Sequence, residues 1–345
     1  LSISSGGSTH ILEIRRKTAG SEDGAEWLAD GRPVDVQMFK NFFIFAISLQ
    51  IYGFHEDRVD GSAHVSLSYS LNEGPVAARR VPVYVARQYL LPGTRLAQYQ
   101  YGGLARFDKV TGERLSITPQ PGADENNYKW NWNAPLIISP HDNKRLYYGS
   151  EKLFRSDDRG ESWTVVSPDL SRGLDRNELE VMGRVWSVDA IAKNMSTSIY
   201  GSLIAVDESP LVEGLLYAGT DDGLIHVSVD GGENWSKTDS FPGVPNQSLV
   251  EDIVASHHDA DVAYAVFDNH KRGDYAPYVL KTENRGRSWQ VISSGLPERG
   301  SAHTIAEDHV NPNLLFVGTE FGVFFTTNGG GSWHELTTLP TIAVR

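Results

Sequence analysis

The chain has 345 residues, 40% of them apolar and 22% charged, with a formal net charge of −13. That scattered surplus of Asp and Glu argues against a nucleic-acid partner, because proteins that bind nucleic acid concentrate Lys and Arg. Cysteine is absent, which removes disulfides, thiolate catalysis and Cys-ligated zinc or iron–sulfur sites.

Residues 1–98 carry no recognisable repeat. The apolar run Phe42–Phe54, 13 residues long, is too short to cross a bilayer and reads as a buried strand or helix, so no membrane span is expected. His55–Leu90 alternates polar and apolar residues in the manner of edge strands. No basic stretch leading into an apolar core is present, which places any signal peptide outside this sequence. Tyr101–Gln120 reads as a hairpin turning at Thr111–Gly112, a degenerate copy of the repeat that follows. Asp124–Pro140, "DENNYKWNWNAPLIISP", concentrates Asn and aromatic residues at a loop-to-strand junction.

From there the chain repeats. "SDDRGESW", "SVDGGENW", "TENRGRSW" and "TTNGGGSW" share one spacing of Ser/Thr, Asp/Asn, Gly and Trp: Ser156, Asp158, Gly160 and Trp163; Ser228, Asp230, Gly232 and Trp235; Thr282, Asn284, Gly286 and Trp289; Thr326, Asn328, Gly330 and Trp333. Successive tryptophans are 72, 54 and 44 residues apart, so the longer intervals carry insertions. Upstream of the motif the flanks repeat as a turn, a short apolar strand, a Gly-Thr or Gly-Ser turn and a second strand. Short strands punctuated by Gly, Pro and Asp with a period near 45 residues predict an all-β propeller of four-stranded blades. Within each motif the Asp or Asn can hold a tight turn by accepting backbone N–H bonds. The Gly can adopt positive φ, and the Trp can wedge between hairpins while its N–H finds one partner. The motif thus reads as a hairpin lock, and Asp230→Ala is expected to destabilise the fold without touching a ligand.

These four segments resemble the Asp-box (BNR) repeat of β-propellers. The stretch from Tyr99 to Arg345 looks most like the bacterial proteins with sortilin/Vps10 N-terminal-type repeats, and more distantly like xyloglucanase-type glycoside hydrolases. The resemblance implies a division into an N-terminal region, 1–98, and Asp-box blades, 99–345. It also implies export from the cytoplasm, and a ligand face remote from the boxes. The closing "LPTIAVR" reads as the start of a strand, so the sequence is expected to be a piece of a longer, incomplete ring. A sialidase-type site is not expected, because Arg155 leads straight into a box and no arginine triad is recognisable.

Sites for chemistry are therefore sought on the loops outside the boxes. Asp221 and Asp222 in "GTDDGL", and Glu320 in the equivalent "GTEFGV", could act as acid and base on a glycosidic bond; the plainer reading makes them solvent-exposed turn residues. The long interval Val181–Leu203 offers Arg184, Trp186, Asp189, Lys193 and Asn194 as a sugar platform, unless Trp186 is core. His257, His258, Asp259 and Asp261 have metal-ligand chemistry, but their segment aligns with the strand entry of the other blades, so no metal is expected. Asp268, His270 and Tyr275 flank or occupy an insertion better placed to touch a ligand. No phosphate loop, zinc-protease pair or nucleophile elbow is present, and no cofactor is expected.

Two functional classes remain open. One is an exported binding propeller for a protein, peptide or carbohydrate ligand, as the sortilin-type resemblance implies. The other is a glycoside hydrolase of xyloglucanase type using two loop carboxylates, and the fold alone does not decide between them.

Overall fold

The computed structural model describes residues 94–108, 111–175, 177–181, 184–187, 190, 200–337, 339 and 341–345, with four short strands nearer the N-terminus. The chain divides into two compact units, Leu1–Leu90 and Leu91–Arg345. In the first, β1 (Ser2–Ser5), β2 (Ser8–Arg15), β3 (Glu26–Ala29) and β4 (Arg32–Pro33) pair in chain order as an antiparallel meander. The stretches Phe42–Phe54 and His55–Leu90 lie outside the described residues.

The second unit is built of antiparallel sheets. A three-stranded sheet of β5 (Thr94–Tyr99), β6 (Gly103–Asp108) and β7 (Arg114–Ser116) comes first. Four four-stranded meanders follow. They comprise β8 (Leu136–Ile138), β9 (Leu146–Gly149), β10 (Leu153–Ser156) and β11 (Thr164–Val165); then, after a two-stranded ribbon of β12 (Glu180–Val181) and β13 (Arg184–Val185), β14 (Leu203–Glu208), β15 (Leu216–Thr220), β16 (Ile225–Ser228) and β17 (Ser236–Thr238). The last two are β18 (Leu249–Ala255), β19 (Ala263–Asp268), β20 (Tyr278–Thr282) and β21 (Gln290–Val291), and β22 (Ala302–Glu307), β23 (Leu315–Thr319), β24 (Gly322–Thr326) and β25 (His334–Glu335). In the four-stranded sheets first strands pack on one another, β8 on β14, β14 on β18 and β18 on β22. The fold is all-β, and these sheets are consecutive blades of a partial β-propeller. The only helical element among the described residues is a 3₁₀ turn, His270–Arg272.

Sequence dictates the layering within a blade. Second strands such as "LYYG", "LYAGT" and "AYAVFD" are buried along their whole length, because each lies between two neighbouring blades and has no solvent face. Fourth strands are two or three residues long and largely exposed, which leaves little free edge for another chain to pair with. The core is accordingly a series of wedges between blades. One joins β8–β11 to the first sheet through Leu104, Ile117, Leu136 and Leu146. The next joins it to β14–β17 through Tyr147, Leu153, Leu203 and Leu216. Larger wedges join the last three blades.

The repeated turn between third and fourth strands fastens these wedges. The Ser228 hydroxyl donates to Asp230 Oδ1 at 2.8 Å and accepts from Gly232 N at 2.8 Å, while Asn234 N donates to Asp230 Oδ1 at 2.9 Å. The same three bonds recur around Ser156, Thr282 and Thr326. The hydroxyls are buried while Asp230 is exposed, so the alcohol, not the acid, holds the interior of the turn. The glycine has two tasks: Gly232 has φ +101°, and a Cβ there would lie 2.3 Å from Val166 O on the preceding blade. The indole completes the seam. Trp163 Nε1 donates to Ile117 O at 2.7 Å, Trp235 to Val166 O at 3.0 Å and Trp333 to Ile292 O at 2.6 Å. Ile117, Val166 and Ile292 each bond back to the start of their own third strand. That equivalence makes β6–β7 a third-and-fourth-strand hairpin lacking the motif, with Gly112 at φ +75° in its turn.

Ser228→Ala leaves the buried Gly232 N–H unpaired and should cost about 1–3 kcal/mol in urea unfolding, whereas Asp230→Asn should be nearly neutral, since Asn already fills that place at 284 and 328. Gly232→Ala should lower the melting midpoint more than Gly231→Ala, which has similar positive φ and no atom near its Cβ position. Equal losses would show that backbone conformation alone, not blade contact, requires the glycine.

Candidate functional site

Meander topology divides every blade into two ends. The repeated turns share one end with the turns between first and second strands, as the bond from Gly231 N to Gly214 O shows. The turns between second and third strands, and the links from one blade to the next, lie at the other. Backbone bonds stitch that second end together: Leu203 N to Ser150 O at 2.7 Å and Gly300 N to Tyr275 O at 2.9 Å run from one blade to the next, and Asp221 N to Ser202 O at 2.9 Å and Glu320 N to Ser301 O at 3.0 Å tie each entering link to its own blade's turn. Asp221, Asp222, Glu320, Asp268, His270 and Tyr275 belong to this end.

Asp221 and Asp222 are turn residues between β15 and β16, but they are not exposed: their relative accessibilities are 6% and 0%. Asp221 accepts from Gly201 N, Ser202 N, Ser202 Oγ and Asn131 Nδ2 at 2.9–3.1 Å. Asp222 accepts from Thr220 Oγ1 at 2.5 Å and Arg172 N at 2.8 Å. The Arg172 guanidinium closes over them onto the carbonyls of Asp222, Gly223 and Asp239. Burial, with Asp222 as a like-charged neighbour, pushes the Asp221 carboxyl up to about 6. The pair tethers the blade link to the turn.

Glu320 lies on the β23–β24 turn, with the whole β18–β21 sheet between it and Asp221, and the structure does not bring these acids together. Its partner is His303, whose Nε2 lies 2.8 Å from Glu320 Oε2 and whose Nδ1 lies 3.8 Å from Glu251 Oε1. The second distance is an ion-pair separation, too long for a hydrogen bond. Asp268, buried at the end of β19, binds both the backbone N and the Nδ1 of the half-exposed His270. The insertion beyond is a tight loop in which Asp274 accepts from Asn269 and Tyr278.

Aromatic residues show the sharpest asymmetry. Tyr99, Tyr101, Trp132, Tyr275 and Phe321 are the exposed aromatics among the described residues, and all five sit at the end opposite the repeated turns. Tyr101 and Trp132 meet edge to face at 5.1 Å, and the Arg299 guanidinium lies 5.2 Å from the Tyr275 ring. At the other end the exposed apolar residues are aliphatic, such as Leu211, Val229 and Val310. Trp186 is half-exposed, with the Arg184 guanidinium 3.5 Å above its ring. Asp189, Lys193 and Asn194 lie outside the described residues. His257 and His258 serve the seam to the last blade: His257 N donates to Glu307 and His258 Nε2 meets Asp308 O.

Sequence reasoning did not single out Asn131, Arg172 and Ser202 around the acids, or His303 and Glu251. Each of the latter two is the extra residue of a β-bulge, at the register shifts Ala302/Thr304 and Val250/Asp252, and no local pattern announces a bulge. The run "NYKWNWNAP" around Trp132 was visible only as an aromatic-rich junction.

No protein-family profile matches the chain. Among curated proteins it is similar to the xyloglucanase Xgh74A of Acetivibrio thermocellus, 26% identical over 225 residues, covering 58% of this chain and 25% of that one. A xyloglucanase of a Paenibacillus species is 25% identical over 288 residues, covering 74% and 26%. The chain thus spans about a quarter of the length of these relatives. Solved structures with a similar chain course include the GH74 xyloglucanase of Xanthomonas campestris, at TM-score 0.47, 20% identity and coverage of 70% of this chain and 36% of that one. They also include YCF48 of Cyanidioschyzon merolae, at TM-score 0.44, 11% identity and coverage of 70% and 66%.

Asp221 generates a pH prediction. Its folded pKa of about 6 exceeds the ordinary value near 3.9, so its contribution is fully present below pH ~4 and is lost as pH rises to ~6. Asp221→Asn should therefore flatten part of the decline in melting temperature between pH 4 and 7. Asp252, pushed up to about 6, and Asp207, to about 7, both by burial, supply the remainder. An unchanged slope would mean that Asp221 titrates normally.

Proposed function

We propose that this partial propeller is a carbohydrate-recognition scaffold, and that its ligand lies across the blade ends opposite the repeated turns. The observation that carries this reading is the confinement of all exposed aromatics among the described residues to that end. Sugars present alternating apolar C–H faces and hydroxyl rims, which aromatic rings and neighbouring carboxylates or guanidinium groups complement. The two relatives named as xyloglucanases support a β-glucan-type polysaccharide as the ligand class. In this reading residues 99–345 carry the ligand face, residues 1–98 form a separate region, and the protein works outside the cytoplasm, where such polymers are met. The repeated turns act as hairpin locks and touch no ligand.

Affinity electrophoresis in gels containing soluble xyloglucan tests the proposal. The chain should be retarded, Trp132→Ala and Tyr275→Ala should each lose about 0.5–1.5 kcal/mol of binding, the range of aromatic face contacts, and Leu211→Ser at the other end should bind as the parent does. Equal losses from Leu211→Ser, or no retardation by any β-glucan, would sink it.

The names of the relatives also favour a second reading, glycoside hydrolysis by Asp221, Asp222 or Glu320. Against it stands the commitment of both aspartates to internal hydrogen bonds, which leaves neither free to reach a glycosidic oxygen. Reducing ends released from xyloglucan by the chain, and abolished by Asp221→Asn, Asp222→Asn or Glu320→Gln, would establish the hydrolase instead.

A further inference from the structure

We infer that His303, in its doubly protonated form, is a pin that joins two blades and holds the Phe321 turn in its ligand-facing position, so that ligand affinity at the aromatic end falls as pH rises. This rests on the carbohydrate-face reading for the ligand, and on separate geometry for the pin.

Three consecutive blades carry a register shift at the same place in their first strand, between Leu203 and Ala205, Val250 and Asp252, and Ala302 and Thr304. A bulge aims its extra residue away from the ordinary alternation of the strand. The residues so placed are Ile204, Glu251 and His303. Only the last two can form an ion pair, and they belong to adjacent blades whose first strands are packed together. The His303 side chain is 2% exposed, with Glu251 on one side of the ring and Glu320 on the other.

A neutral imidazole has one N–H. If it points to Glu320, the bare Nδ1 lone pair faces the Glu251 carboxylate; if it points to Glu251, Glu320 loses its donor. Only the imidazolium donates to Glu320 at 2.8 Å while turning a positively charged Nδ1–H toward Glu251, an ion-pair separation of 3.8 Å, and that is the condition for a switch near neutral pH. Glu251 faces the ring from β18, Glu320 from the β23–β24 turn and Arg345 from the C-terminal segment, which is held by the bond from Val344 N to Thr319 O at 2.9 Å. Burial and Arg345 oppose the proton, but the two glutamates outweigh them and hold the ring above the usual histidine value. Asp252 is engaged with Thr304 and Ile305 N of β22.

Glu320 is the residue before Phe321. The Phe321 ring lies against Gly300, where a Cβ would stand 3.2 Å from it. Loss of the Glu320–His303 bond removes the side-chain tie of the turn to β22 and leaves it held by the backbone bond from Glu320 N to Ser301 O and by Thr319 Oγ1, which accepts from Phe321 N and donates to Gly322 O.

The stabilisation is fully present below the unfolded histidine pKa near 6.5 and is lost as pH rises through the higher folded value. Burial also pushes Asp207 up to about 7 and Asp252 and Asp221 up to about 6, so the test compares slopes between variants. Xyloglucan affinity and melting temperature of the 345-residue chain, its His303→Gln variant and its Phe321→Ala variant would be followed from pH 5.5 to 8.5. The parent should lose affinity about threefold to tenfold across that range, as for one proton of modest coupling; His303→Gln should be flat, and Phe321→Ala weak throughout. An NMR titration of the ring proton missing from His303→Gln should give a midpoint above 6.5, falling in Glu320→Gln. Identical affinity slopes for parent and His303→Gln would overturn the coupling. If no β-glucan binds at any pH, the carbohydrate reading fails separately; the melting and NMR series then decide the pin, which is overturned if His303→Gln keeps the parent's slope or the midpoint lies below 6.5.

Discussion

The whole second unit depends on one constraint: no blade can bury its second strand alone. "LYAGT" and "AYAVFD" are buried on both faces, so each blade is stable only as the filling between two others, and stability is held in the seams. The repeated turn is the seam's fastener. Its buried hydroxyl fixes the glycine N–H, the glycine lets the preceding blade approach to backbone contact, and the indole N–H then finds that blade's carbonyl. Local turn chemistry and long-range packing are the same interaction seen at two scales.

That coupling explains why this much of the fold was legible. The three recurring side-chain bonds of the motif span two or four residues, so the residues that make them must stand at fixed spacing, and the spacing appears in the sequence. The acid was over-weighted for the same reason: Asp230 is conspicuous in sequence, but the buried member is Ser228. The aspartates of "GTDDGL" were legible as turn residues and illegible as buried ones. Their partners Ser202 and Asn131 lie 19 and 90 residues away from Asp221, and nothing in six residues of sequence announces them. His303 is the extreme case, since its setting comes from two bulges and a turn that meet only in the folded blades.

The two ends of the blades therefore carry different duties. Turns at the motif end are bound by the seam and have little freedom to vary, because changing them loosens a wedge. The other end is built from links and insertions that need only reach the next blade. It carries the 3₁₀ turn after β19, the Arg172 brace and the aromatic pairs Tyr101–Trp132 and Tyr275–Arg299.

The seam between β14–β17 and β18–β21 shows how the two duties compete. Elsewhere a tyrosine of the second strand reaches a glutamate on the next blade, Tyr147 to Glu208 and Tyr264 to Glu307. Here the glutamate's place opposite Leu216 and Leu315 is taken by Ala255 opposite Ala263. Among the described residues, Tyr217 Oη and Trp289 Nε1 are buried at this seam without a hydrogen-bond partner. The carbonyl of Asp239, just past β17, instead receives Arg172 from the end opposite the repeated turns. Two substitutes close the gap: Asp207 accepts from Ala255 N across the seam, and Phe241 packs against both Phe267 and Trp289. Two fasteners are thus exchanged for apolar area and a buried carboxylate, packing across the seam that no motif records.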